Sequence, residues 1–191
     1  MSIICSPFSN STASDYSSWS EDSTVSLTTF ELAEREFTNK FKNCEQLRIG
    51  ECKFSEAPLY IGEISSFTST GIGDSITMFG IGEDESLFAW HSSTVGDSNR
   101  QQTDKEIVLE ELKGYFSKYK SVKDLQVDIY LVGGNDSLLS NNLYNGIVGA
   151  IPEFFTDAVI VGEFINPTKN TRKSFLTANF NTKGELFYYL H

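Results

Sequence analysis

The sequence is poor in the residues that build metal and redox sites. It holds two histidines, His91 and His191, and three cysteines, Cys5, Cys44 and Cys52. The cysteines are odd in number and lack C-x-x-C spacing, which argues against a disulfide framework and a zinc ribbon. Their lack of pattern fits a reducing compartment. The histidines lie far apart in sequence, so no H-E-x-x-H pattern exists and no metal site is expected. Basic residues are few: 15 Lys and Arg stand against 26 Asp and Glu, for a net charge of −11. No basic run is present, which argues against nucleic-acid and anionic-membrane partners. Long apolar runs are absent too. Ala158–Gly162 (AVIVG) is strand-length, far below the roughly 20 residues of a membrane span. The first eight residues, MSIICSPF, lack the basic start and the roughly 7–15-residue apolar core of a secretory signal.

What the chain does contain suits a folded domain. Its 191 residues are 39% apolar and 13% aromatic, carried by 15 Phe and 8 Tyr. A chain this long buries roughly 70% of its unfolded surface and needs no disulfide or metal staple. Residues 1–28 differ: ten serines and three threonines fall there, with no Lys or Arg. That composition predicts a flexible tail over 1–28 and a domain over 29–191. The same composition is compatible with an address read by a specialised bacterial secretion system. The expected location is therefore cytoplasmic or, by that route, a host cell.

Within the domain, T-x-x-E capping boxes at Thr28/Glu31 and Thr103/Glu106 predict helix starts. Phe30, Ala33, Phe37 and Phe41 follow the first at helical spacing, ending near Cys44. Val108, Leu112, Tyr115 and Tyr119 line one side of the second. A third helix is predicted from Asn141 to Ala150, with Leu143, Ile147 and Ile151 inward and Pro152 stopping it. Strand signals cover Leu59–Ile64, Ser75–Phe79, Ser86–Trp90, Leu125–Val132, Ala158–Ile165, Ser174–Asn181 and Glu185–Leu190. The last two flank a Gly184 turn and read as a hairpin. The mixture points to an α+β fold, with helices packed on largely antiparallel sheets.

The chemistry concentrates at Ser69–Met78 (STGIGDSITM). Gly71 and Gly73 surround a short turn that leads, through Asp74 and Ser75, into an apolar strand. Successive amides of such a turn can form an anion-binding nest, which would serve a nucleophile at position 75 as an oxyanion hole. His91 ends the next strand signal, and an antiparallel hairpin would bring it beside position 75. A nucleophile beside a histidine base is the minimal acyl-transfer pair.

From about Leu59 to Leu190 the order of these landmarks resembles the CheD-like amidohydrolases, a family of chemoreceptor glutamine deamidases and protein amino-terminal asparagine amidohydrolases. Leu59–Ile64 (LYIGEI) resembles the opening strand and Gly71–Ile76 (GIGDSI) the G-L-G-S-C-V turn. Val108–Leu112 resembles the long helix, Leu125–Gly134 (LQVDIYLVGG) the strand closing on Gly-Gly, and Thr177–Leu186 the closing hairpin. The resemblance implies a CheD-like fold and hydrolysis of a Gln or Asn side-chain amide in a protein substrate, with no metal or organic cofactor. The family's cysteine, histidine and Thr/Ser six positions before the cysteine carry over to Ser75, His91 and Ser69. Gly71, Gly73 and Asp74 would supply the oxyanion turn.

Position 75 departs from the family, and three readings stand: a hydroxyl nucleophile, a natural loss of activity, or a cysteine replaced in the laboratory. A thiol near pKa 8.5 ionises beside imidazole far more readily than a hydroxyl. Two other functional readings remain open. One is a non-catalytic binding module of the same fold. The other is a GDSL-type serine esterase, since Gly73–Ile76 (GDSI) and Gly134–Asp136 (GND) resemble two of its blocks. Its D-x-x-H block is missing, because Tyr188 stands three residues before His191.

Overall fold

The structure, a computed structural model, describes residues 35–42, 44–55, 66–93, 102–117, 126–169 and 174–191. The 1–28 tail, the Thr28 capping box with Phe30 and Ala33, the Leu59–Ile64 strand and Tyr119 lie outside the described residues. A helix, α1, covers 35–40. The strands are β1 (Glu45–Leu47), β2 (Cys52–Ser55), β3 (Ser66–Ile72), β4 (Ile76–Gly82), β5 (Leu87–Ser92), β6 (Gln126–Gly133), β7 (Asp157–Ile165), β8 (Leu176–Asn181) and β9 (Leu186–Leu190). The other helices are α2 (Asp104–Phe116) and α3 (Leu138–Phe154).

The fold is α+β, with two sheets ordered β1-β3-β8-β9 and β2-β5-β4-β6-β7. The β1–β3 and β6–β7 pairs are parallel and the rest antiparallel.

Strand alternation builds the layers. Successive side chains on β4 point to opposite faces. Ile76 and Met78 join Phe88, Trp90, Ile129 and Leu131 against Leu112, Leu143 and Ile147 of α2 and α3. Phe79 turns the other way and packs with Leu87, Ala89 and Val132 against Phe67, Leu176, Ala178 and Phe180 of the four-stranded sheet. On that sheet's outer side, Phe37 and Phe41 meet Phe187 and Tyr189. Two helices, two sheets and α1 thus stack in sequence, with apolar side chains filling each gap.

The capping box at Thr103 is formed. Its hydroxyl accepts from the Glu106 amide, and the Glu106 carboxylate accepts from the Thr103 amide. On α2 the inward residues are Ile107, Val108, Leu112 and Phe116; Tyr115 is half-buried and its hydroxyl donates to the Gly50 carbonyl at 2.7 Å. The β8–β9 hairpin also forms: Gly184 takes φ +73°, and Asn181 Oδ1 accepts from the Lys183 and Glu185 amides.

Two expectations change. Pro152 does not stop α3, which runs on to Phe154. The ring cost is met at one exposed turn, while Phe154 and Phe155 beyond it pack on Phe116 and the Phe155 amide still donates to the Ile151 carbonyl. Residues 66–72, absent from the strand signals of the sequence, form β3. Its bulge between Ser69 and Ile72 carries Gly71 at φ +70°, so Gly71 belongs to a strand end rather than to the turn itself.

Candidate active site

β3 belongs to one sheet and β4 to the other. The bend at Gly73, Asp74 and Ser75 between them is therefore the corner where the chain crosses the sandwich. This corner sets Ser75 at the edge of the gap between sheets. Phe175 packs on it from β8's side: a Cβ on Gly73 would lie 3.1 Å from its ring.

Gly133 and Gly134 close β6 beneath the corner. Gly133 has φ +114°, and a Cβ there would stand 2.2 Å from Ile72 Cγ2 and 2.7 Å from the Ser75 carbonyl oxygen. Only a residue without a side chain fits. The Gly134 amide then donates to the Ser75 carbonyl at 2.8 Å, tying the corner to the central strand. Past Gly134, Asn135 Oδ1 accepts from the Ser137 amide and Ser140 Oγ from the Asn135 amide. Asn135 and Asp136 form the turn into α3. Asp136 is bound by Asn166 and Lys169.

His91 lies opposite Thr77 in the β4–β5 register. Its backbone is held by the segment leading into β2, the carbonyl accepting from the Gly50 amide at 2.7 Å and the amide donating to the Glu51 carbonyl at 3.0 Å. Its ring faces the other sheet. Nε2 is 2.8 Å from Ser75 Oγ, and Nδ1 is 3.1 Å from Ser69 Oγ. Ser69 Oγ is in turn 2.7 Å from Thr77 Oγ1. The structure thus brings together the three residues the sequence singles out. Gly73 and Asp74 sit on the same corner, Asp74 exposed to solvent.

The cluster is a polar island in an apolar seam. Ser69, Thr77 and His91 are 0% exposed and Ser75 is 2% exposed. An unpaired polar group here would cost about 1–3 kcal/mol, and the side chains answer one another instead. Burial pushes the His91 imidazole from 6.5 down to about 4, opposed by the nearby Glu51 carboxylate. The ring is neutral at pH 7 and able to take a proton. Trp90, next in sequence, points away into the helix-side core.

Sequence reasoning missed Thr77, although a signal exists. Positions 75 and 77 share one face of a strand, and Thr77 pairs across with His91. Cys52 is partly buried and its thiol is pushed up to about 12 by burial; it belongs to the helix-side core. Among the described residues no cluster of His, Cys, Asp and Glu is arranged to hold a metal ion, and no helix is long and apolar enough to cross a membrane. No protein-family model matches the chain, and no curated protein matches it either.

Proposed function

We propose that the chain is a side-chain amide hydrolase of CheD-like type, acting on a Gln or Asn carboxamide presented by a protein. The observation that carries this reading is the line of hydrogen bonds from Ser75 Oγ through both nitrogens of His91 to Ser69. In the reaction His91 Nε2 takes the proton from residue 75, whose heteroatom attacks the carboxamide carbon. Backbone amides of the Gly73–Ser75 corner hold the oxyanion, and Ser69 keeps the imidazolium oriented. His91 then protonates departing ammonia, and water hydrolyses the acyl-enzyme.

The burial of Ser75 sets a condition: a carboxamide reaches it only when the corner, or the Phe175 ring resting on Gly73, moves outward. The hydroxyl sets another. An imidazole near pKa 4 is a weak base for an alcohol and better matched to a thiol, so Ser75→Cys should be the more active form. The esterase reading gains nothing, because the imidazole beside Ser75 is His91, while His191 Nε2 is 3.2 Å from Thr177 Oγ1. An effector delivered into a host cell is one setting for such an activity.

The test is a mass-spectrometric survey of Gln-to-Glu and Asn-to-Asp conversion in a protein mixture. It compares the chain, Ser75→Cys, and Ser75→Cys with His91→Ala. Conversion by Ser75→Cys that disappears in the double variant supports the reading. Absence of conversion with all three points to the non-catalytic module, and conversion that survives His91→Ala removes the mechanism.

A further inference from the structure

We propose that Glu51 is a positioning residue of this site, its carboxylate serving as the counter-charge for His91 when the imidazole carries a proton. This rests on the amide-hydrolase reading, in which His91 is an imidazolium between its two proton transfers. The ring is 0% exposed, and its two nitrogens meet neutral hydroxyls, those of Ser75 and Ser69. A charge buried among neutral groups is costly. In a Ser-His-Asp triad the aspartate offsets that charge; Ser69, in the corresponding place, brings none.

The backbone sets Glu51 where a carboxylate can act. Gly50 and Glu51 stand two against one opposite His91: the Gly50 amide donates to the His91 carbonyl, and the His91 amide donates to the Glu51 carbonyl. With Gly50 at φ +79° this is a β-bulge with glycine in its first position, a device that re-aims a side chain. Cys52, the next residue, pairs with Trp90 and packs in the helix-side core. Alternation therefore turns Glu51 to the face that carries the His91 ring. Its carboxylate accepts from the Arg48 amide at 2.9 Å, and Tyr115 of α2 secures the turn by donating to the Gly50 carbonyl. This carboxylate is the charge that opposes the effect of burial on the imidazole.

Strand order gives the sign of the effect. β2, β5 and β4 are successive neighbours, so His91 lies between Glu51 and the strand that Ser75 leads into. Glu51 favours a proton on His91 more than it repels negative charge developing at residue 75, because the imidazole is nearer. Other ionisable groups among the described residues are less well placed. Asp74 and the Arg48 side chain are exposed, and Cys52 lies on the helix side. Glu111 of α2 accepts from Ser92, which is one residue past His91 and so on the opposite face.

The experiment is iodoacetamide alkylation of Ser75→Cys in the full chain at pH 7, read at residue 75 by peptide mass spectrometry. Glu51→Gln keeps an acceptor for the Arg48 amide and removes the charge; Glu51→Asp keeps the charge. Labelling is expected to slow about threefold or more with Glu51→Gln and to stay near the parent rate with Glu51→Asp. Once His91→Ala is present, Glu51→Gln is expected to change nothing. Unslowed labelling in Glu51→Gln overturns the inference, as does equal slowing by both substitutions, or slowing that persists without His91. If residue 75 resists labelling altogether, NMR titration of the His91 ring with Ser75 intact decides: its midpoint falls in Glu51→Gln if the inference holds, and an unmoved midpoint overturns it. A lowered midpoint without any carboxamide conversion removes the hydrolase reading and leaves the pairing of Glu51 with His91 standing.

Discussion

Lowering the pH should weaken the fold through His91, by an amount the structure allows to be worked out. In the unfolded chain the imidazole titrates near 6.5, whereas burial brings it to about 4 in the fold. Between those values the unfolded state holds a proton that the folded state refuses. Stability therefore rises with pH across this window and falls on acidification. The contribution is whole above 6.5 and spent by about 4. At about 1.4 kcal/mol per pH unit, the loss amounts to roughly 3 kcal/mol. For a chain of this size that is about 6–12 °C in melting temperature. The assay is thermal or urea unfolding from pH 7 to 4.5, comparing the chain with His91→Asn, which cannot titrate there. Carboxylates affect both proteins alike, so the difference in slope isolates His91. The unaltered chain should lose stability more steeply. Parallel slopes would refute the claim that His91 is buried and neutral.

Three other outcomes follow from geometry. Gly133→Ala should cost about 2–5 kcal/mol, combining strain at φ +114° with a methyl group driven into Ile72 and the Ser75 carbonyl; a urea midpoint shifted by less than about 1 kcal/mol would contradict the close approach. Thr103→Ala should remove about 1 kcal/mol by opening the capping box of α2, read by the same unfolding curves, and an unchanged midpoint would deny the cap a role. Tyr144 donates to Glu163 at 2.5 Å, and its phenol is pushed up to about 12 mainly by that bond. In ultraviolet titration one tyrosine should ionise late and move back toward 10 in Glu163→Gln; coincident curves would argue against the bond.

Much of this architecture is legible in the sequence because local chemistry agrees with the fold. The Thr103 box, the Gly184 turn and the apolar runs of β4 and β6 each specify their element. The antiparallel step from β4 to β5 is enough to set His91 near Ser75. β3 hides because its residues carry little apolar alternation. Phe67 and Ile72 face the core, but Ser69 occupies an inward position that a stable strand would ordinarily fill with an apolar side chain, and Thr68 faces Asn179 on the other side. The irregularity that obscures the strand is the feature that equips the site. Pro152 misleads for another reason: packing beyond it, by Phe154 and Phe155, outweighs one missing backbone hydrogen bond. Thr77 is only half legible: strand alternation puts it on the face of Ser75, but its meeting with His91 depends on cross-strand register.

The most direct measurement of the central claim, that residue 75 is a nucleophile served by His91, is the alkylation rate of Ser75→Cys by iodoacetamide at pH 7, located by peptide mass spectrometry. The account predicts labelling at position 75 that falls at least about tenfold when His91→Ala is added. No labelling of that thiol in the folded protein, or equal rates with and without His91, would contradict it.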